Sequence, residues 1–406
     1  MIPRRIGFLS PLPYFAAFVA APFAVLAGKL TGQAELFHRF GPHGLTPWLM
    51  LSAFALAACL LHAAHERSHR GLPRWPVLAI GLGLGASAWL LTRLIVPLLG
   101  DAQNLAPLLD ELRLPALLSF SALWAWSFGA PERCSLSRAG AALGALVVLD
   151  FLLTAIMAHS LVLGGGYLFG ETAGTSDILA FLLCLALAAT LDDTREPGAP
   201  RLARWLILAG LLATFSRPGL AAGGLMCLVL EQGPFRHRLA MALSCAMAAW
   251  LSLALPLPRL TGGDDLGLGW HLAATLEALA QDPRGYLMGL PLDTPLALAM
   301  PDFQGLIWDD ESQGLPVSAF NIPSSGLRLL AAWGIGGPLA VLGAAGFCAA
   351  RGRSRFGLGL LTALILCAAL TPVLQVPACA AALALALASA ARKGTTATER
   401  SEQSAT

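Results

Sequence analysis

Charge is scarce in this chain. Asp, Glu, Lys and Arg make up 12 % of its 406 residues, about half of what a soluble globular domain carries. Polar mass is scarce too, because 56 % of the residues are hydrophobic and residues 257–323 form the sole long polar stretch. These shortages exclude an ordinary water-soluble fold. With a mean hydropathy of +0.69 the chain reads instead as an all-α, polytopic integral membrane protein. Signatures of metal and nucleotide chemistry are missing: there is no CxxC, HExxH, P-loop or strand-linked GxGxxG, so no metal, cofactor or nucleic-acid partner is expected. None of the eight cysteines lies in 257–323, and they read as small apolar packing residues. No internal repeat stands out, which counts against a transporter built from inverted repeats.

What is present is a series of apolar runs. Windows of about 20 residues predict segments at 12–30, 46–64, 76–99, 114–129, 139–162, 174–191, 202–216, 219–231, 237–256, 324–349, 356–372 and 375–391. This gives about 12 spans, nine of them within 1–256, a large outer loop at 257–323, three more spans within 324–391, and a polar tail at 392–406. With both termini cytoplasmic, most basic residues fall on the inner side, as the positive-inside rule requires. The outer side then keeps only Lys29, Arg39, Arg93, Arg113, Arg217, Arg259, Arg284 and Arg328.

Arg217 stands out among these. It interrupts LLATFSRPGLAAGGLMCLVL, where an arginine costs roughly 2.5–3.5 kcal/mol on insertion scales unless it faces protein or water. The flanking segments 202–216 and 219–231 are each too short to cross about 30 Å of hydrocarbon directly. Arg217-Pro218 is therefore expected at the tip of a broken helical pair, where it either binds a ligand or serves as a snorkelling or ion-paired structural residue. In the loop, WHLAATLEALAQDP places Leu272, Leu276, Leu279 and Ala280 on one face and ends at Pro283, which predicts an amphipathic helix lying on the membrane surface.

An ordered set of segments resembles the O-antigen ligase and O-antigen polymerase superfamily of bacterial membrane glycosyltransferases, over about residues 160–350. GGGYLFGETAGTSDILAFLLCLALA resembles a glycine-rich turn entering an apolar helix. RLARWLILAGLLATFSRPGLAAGGL is similar to a helix ending in a Ser-Arg tip, with Ser216 and Arg217 at the matching positions. WHLAATLEALAQDPRGYLMGLPLD resembles an amphipathic helix before a Pro/Gly turn, here Pro283, Gly289 and Pro291. NIPSSGLRLLAAWGIGGPLAVL resembles the segment after the loop, with Gly334 and Gly337 matching its Gly-x-x-Gly ending. The His-Asn pair that ligases carry there is absent; Pro323 and Ser324 stand in its place when the segments are aligned on Gly334.

The resemblance implies a GT-C-like enzyme of the bacterial inner membrane. Its donor is a glycan on undecaprenyl pyrophosphate, and its acceptor is a second glycan or a lipid A core sugar. Polymerisation is favoured over ligation because the histidine is missing. Membrane lipids and polysaccharide-assembly proteins are the other expected partners. Such chemistry needs positive charge on the departing pyrophosphate, and arginine supplies it with a bidentate fork that stays ionised. Arg217 with Ser216 is the first candidate clamp, and Arg328 and Arg93 are the further ones. A carboxylate or histidine must accept the acceptor's proton, and His271 and Asp293 are the preferred candidates, although each also reads as a solvated loop residue. Two alternatives stay open: a transporter or flippase of lipid-linked sugars, and a non-catalytic subunit of a polysaccharide machine.

Overall fold

The computed structural model describes residues 7–33, 39–66, 81, 84–85, 88, 106–158, 175–191, 199–254, 265–281, 284–290, 322, 324–352 and 354–391. Among these residues the chain is helical and contains no strand. The first helix, α1 (Leu12–Phe15), runs through a π-helical turn into α2 (Ala21–Thr31). It is followed by α3 (Thr46–Glu66), α4 (Ala106–Ser127), α5 (Arg133–Ala158), α6 (Thr175–Ala189) and α7 (Ala199–Thr214). Next come α8 (Arg217–Leu225) with a π-helical extension (Met226–Leu230), α9 (Phe235–Ala254), α10 (Asp265–Gln281) and α11 (Gly285–Met288). The chain closes with α12 (Ser325–Trp333), α13 (Gly336–Gly352), α14 (Arg355–Leu370) and α15 (Pro377–Ala390). Apart from α10 and α11, which lie in 257–323, these helices overlap the apolar segments read from the sequence, with 324–349 divided between α12 and α13; nearly all of 76–99 lies outside the described residues, as does the tail 392–406.

The core is built around α6. Its residues Ile178–Ala189 are apolar on every side, and each is at most 4 % exposed, as expected of a helix with neighbours all round. Those neighbours are α5, α7, α8, α14 and α15. Small residues let the helices approach closely: a Cβ on Gly210 of α7 would lie 2.6 Å from the Cα of Gly144 in α5. By length and composition, only Arg133–Ile156 of α5, with mean hydropathy 2.2, is able to cross a bilayer alone among the described residues. The other apolar helices are shorter, and α7 and α8 are two of them.

One end of the bundle is basic. Arg204 of α7 pairs with Glu231, Arg238 donates to the carbonyl of Leu228 at 2.8 Å, and Arg355 donates to that of Leu230 at 3.1 Å. Arg133 lies over the ring of Phe356 at 5.0 Å. Three arginines thus serve the C-terminal end of the α8 extension, where the helix dipole favours cations and the last carbonyls need donors.

The segment 324–349, expected as one span, is two helices that meet at Gly334. Gly326 of α12 sits near Ala368–Ala369 of α14, whereas Ala349 of α13 sits against Gly357. A straight helix from 326 to 349 would rise roughly 34 Å, while α14 covers only about 18 Å between the same contacts. The α12 helix therefore runs out of line with α13. Its start is pinned by Ser324, which donates to Ala369 O at 2.6 Å, and by Ser325, which donates to Gln375 Oε1 at 2.8 Å. These serines occupy the Pro323-Ser324 region singled out in the sequence, and they tie α12 to the α14–α15 junction.

Two glycines from separate motifs meet at the other end of α12. Gly289 (φ +82°) and Gly334 (φ +65°) adopt conformations that suit glycine alone, and their neighbours exchange backbone bonds: Leu290 N to Ala331 O at 2.7 Å and Ile335 N to Tyr286 O at 2.8 Å. A Cβ on Gly289 would fall 2.4 Å from Ala332 O. Gly289→Ala and Gly334→Ala are each expected to lower stability by about 1–3 kcal/mol through backbone strain alone. Thermal unfolding in detergent measures this; a melting point unchanged from wild type would contradict it.

α10 forms where the sequence predicts a helix, but it begins earlier, at Asp265. Its protein-facing stripe is Thr275 and Leu279, both fully buried, and Leu279 joins Leu290, Ile322 and Ala331 in a small second core. Leu272 and Leu276, expected on the same face as Leu279, remain exposed. The predicted apolar face is therefore divided between α12 and the surroundings, because α12 covers only one edge of it.

Candidate anion site at the α7–α8 tip

α7 ends and α8 begins across two residues. Phe215 has φ +50°, the sole non-glycine positive value among the described residues, and Ser216 is extended. A bulky residue in this region is strained by about 1–3 kcal/mol and persists only where its surroundings hold it. Here the Phe215 ring packs against Phe151 of α5, with centroids 5.9 Å apart. After the break the chain folds back on itself: a Cβ on Gly223 would meet Leu211 Cδ2 at 2.4 Å, and farther from the tip Arg204 pairs with Glu231. The broken pair expected around Arg217-Pro218 is thus a helical hairpin, with Pro218 in the first turn of α8, where its missing N–H costs nothing.

Local side chains satisfy the backbone at the tip. Thr214 Oγ1 donates to Leu211 O at 2.7 Å and accepts from Ser216 N at 3.3 Å. Ser216 caps α8 by accepting from Gly219 N at 3.3 Å, and its hydroxyl donates to Asp177 Oδ1 at 2.5 Å. Asp177 lies in the first turn of α6. From there α6 and α8 run side by side in the same direction, since Ala180 approaches Gly219 and Leu187 approaches Gly223. Two helix N-termini, each the positive end of a dipole, therefore open at one place.

Arg217 is the first residue of α8, half-buried at this point, and its Nε donates to Ser252 Oγ of α9 at 3.4 Å. The arrangement joins a guanidinium, two helix N-termini, two hydroxyls and a carboxylate. It can bind a phosphate-bearing group: the guanidinium supplies charge and a fork of donors, and the N-termini add to the field. The Ser216 hydroxyl, engaged by Asp177 and Gly219, holds the tip in shape.

Of the remaining sequence candidates, only Arg328 has its side chain among the described residues. Arg328, in α12, is 7 % exposed and paired with Glu111 of α4, itself 2 % exposed. The chief neighbours of α4 are α3 and α15, and the structure engages Arg328 in a buried ion pair with Glu111. His271 falls in α10, but its side chain lies outside the described residues, and so do Arg93 and Asp293 entirely. Asp177 belongs to the quoted segment GGGYLFGETAGTSDILAFLLCLALA, but the sequence reading does not single it out. An acidic residue at the entrance to an uncharged helix is a signal that an intramembrane charge search would have caught.

Asp177 holds Ser216 in place, and its replacement tests that role. Asp177→Ala is expected to cost about 1.5–3 kcal/mol, the worth of a hydrogen bond to a charged group, and Asp177→Asn less, because an amide oxygen still accepts. Equal melting points for the two variants would exclude the hydrogen bond as the source of stability.

No family model, curated protein or solved structure matches this chain.

Proposed function

We propose that the chain is a multispanning inner-membrane protein of about 12 helices, GT-C-like in layout. In this reading it polymerises or transfers a glycan carried on undecaprenyl pyrophosphate at the outer face. The observation that carries the proposal is the convergence of Arg217, Ser216, Asp177 and Ser252 at the N-termini of α6 and α8. A pyrophosphate is the leaving group such a cluster suits, because charge develops on it as the glycosidic bond breaks. A membrane setting is supported by apolar side chains left uncovered along α5 and α9, including Leu149, Leu152, Ile156, Leu243, Met247 and Trp250. Orientation is supported by the arginines gathered at the bundle end opposite the tip, the cytoplasmic side by the positive-inside rule.

In the proposed reaction, an acceptor hydroxyl attacks the anomeric carbon of the donor sugar. The bond to the pyrophosphate oxygen breaks, and the electron pair leaves with the lipid pyrophosphate, which Arg217 holds. The acceptor's proton passes to a base from the outer loop, for which His271 and Asp293 are the candidates. Purified protein in detergent, given a lipid-linked oligosaccharide as donor and acceptor, is expected to release free lipid pyrophosphate and a lengthened glycan. Movement of the lipid across a vesicle membrane with no new glycosidic bond would replace the enzyme reading with that of a flippase.

A further inference from the structure

An open face shared by α7 and α9 runs from the tip to the basic end of the bundle. On α7 it carries Leu202, Trp205 and Ala209, spaced so that they share one side of the helix, and all three are exposed. On α9 it carries Arg236, Ala240, Leu243 and Met247, which share one side in the same way and are exposed as well. The two helices run in the same direction. Each leaves the basic end, where Arg204 pairs with Glu231 and Arg238 donates to Leu228 O, and each reaches the tip, where Phe215 and Leu251 line one surface.

Counting back from Phe215 and Leu251 gives the depth of the other residues. Trp205 and Met241 stand at one level, and Arg236 lies about 7–8 Å beyond them toward the basic end. From Ser252, which Arg217 reaches, to Arg236 the helix rises roughly 24 Å. The two arginines therefore stand near opposite interfaces of a bilayer. From the middle of the face toward the basic end the order is aliphatic side chains, an indole, then a guanidinium. A leaflet has the matching order of acyl chains, carbonyl region and phosphates. Charge at this end favours an anion: Arg133, Arg138, Arg204, Arg238, Arg351 and Arg355 stand there with Arg236, against Glu132 and Glu231 among the residues with described side chains. Arg204 is engaged by Glu231, and Arg238 and Arg355 by backbone carbonyls, whereas Arg236 lies on the exposed face beside His237. The face is open and sets no limit on the number or branching of the chains laid on it, so selection rests on the headgroup.

We propose that the basic end of the α7–α9 face binds an anionic phospholipid of the cytoplasmic leaflet, with its phosphate at Arg236 and its acyl chains over Trp205 and Leu243. The inference rests on the reading of the chain as an inner-membrane protein whose basic end is cytoplasmic, and it is independent of what Arg217 holds. The guanidinium meets the phosphate with charge and a fork of donors, and His237 adds a ring nitrogen beside it. Trp205 suits the boundary level, because an indole offers an apolar body to the chains and an N–H to the carbonyl region.

The test compares phosphatidylglycerol with phosphatidylcholine of the same acyl chains, each titrated onto the full chain in detergent and read by native mass spectrometry and by melting temperature. Phosphatidylglycerol is expected to bind at least about fivefold more tightly, the usual worth of one arginine at an anionic surface, and Arg236→Gln is expected to remove that preference. Arg236→Lys should retain it, and Arg217→Gln should leave it as in wild type. Position 236 is exposed, so these substitutions act on the site rather than on folding. Equal affinity of the wild type for the two lipids overturns the proposal and leaves the patch to a protein partner. A preference that survives Arg236→Gln puts the lipid elsewhere and overturns it too. Orientation is tested separately: His237→Cys should react with a membrane-impermeant maleimide, above the wild-type background, in inverted vesicles and not in intact spheroplasts. Reaction in spheroplasts instead overturns the orientation, and the inference falls with it whatever the affinities.

Discussion

Arg217→Ala is expected to reduce glycan product formation by a factor of about 10²–10³, the usual cost of removing one preorganised donor from a developing anion. Arg217→Lys should fall between wild type and alanine, because an ammonium keeps the charge but gives up the fork that holds two oxygens at once. Both variants should stay folded. The α8 cap belongs to Ser216 and Gly219, and the hairpin arms are joined by Leu211 against Gly223 and by Arg204 with Glu231, none of which involves the Arg217 side chain. Turnover assays paired with thermal unfolding separate the two effects. Full activity in Arg217→Ala would defeat the clamp, and loss of folding would return Arg217 to a structural role.

The tip was readable in advance because its signal is local. A charge inside an apolar run, a proline after it and two half-length segments around it are features of one stretch of some twenty residues, and the physics of hydrocarbon turns them into a break. Its partner was not readable in that way. Asp177 is 39 residues from Ser216, and only the side-by-side packing of α6 on α8 unites them. That packing depends on Gly219, where a Cβ would lie 2.5 Å from Ala180 Cβ. The sequence does contain the glycine, but glycines packed against helices and glycines in turns look the same in a hydropathy window.

The broken span at 324–349 teaches the converse. Hydropathy stays high through Gly334, so a window average sees one helix. The cause of the break is a contact from elsewhere in the chain, in which the backbone of Tyr286–Leu290 docks on the α12–α13 corner. The motif glycines Gly289 and Gly334 were visible as separate marks, and their meeting explains both. Amphipathic helix α10 shows a third case: its existence follows from periodicity, but which edge of the apolar face is covered follows from where α12 lies.

Arg328 and Glu111 provide the second large effect. The two are 217 residues apart in the chain and almost completely buried, so the ion pair offsets part of the cost of taking each from water. Removing either alone takes from a buried charge the opposite charge it is bonded to. Arg328→Met or Glu111→Leu should therefore destabilise by about 3–5 kcal/mol. Replacing both with apolar residues of similar volume should recover most of the loss, since the desolvation penalty then vanishes with the pair. A double-mutant cycle on unfolding free energy measures this, with a coupling term near zero as the contrary result. The same double variant also decides between the two readings of Arg328. As one half of a structural pair it is dispensable for chemistry, and the stable double variant should turn over lipid-linked glycan close to the wild-type rate. As a second phosphate clamp it is not, and product formation should then fall although stability has returned. The burial of Glu111 beside it favours the first outcome, because a guanidinium already neutralised by a carboxylate has less field to offer a pyrophosphate.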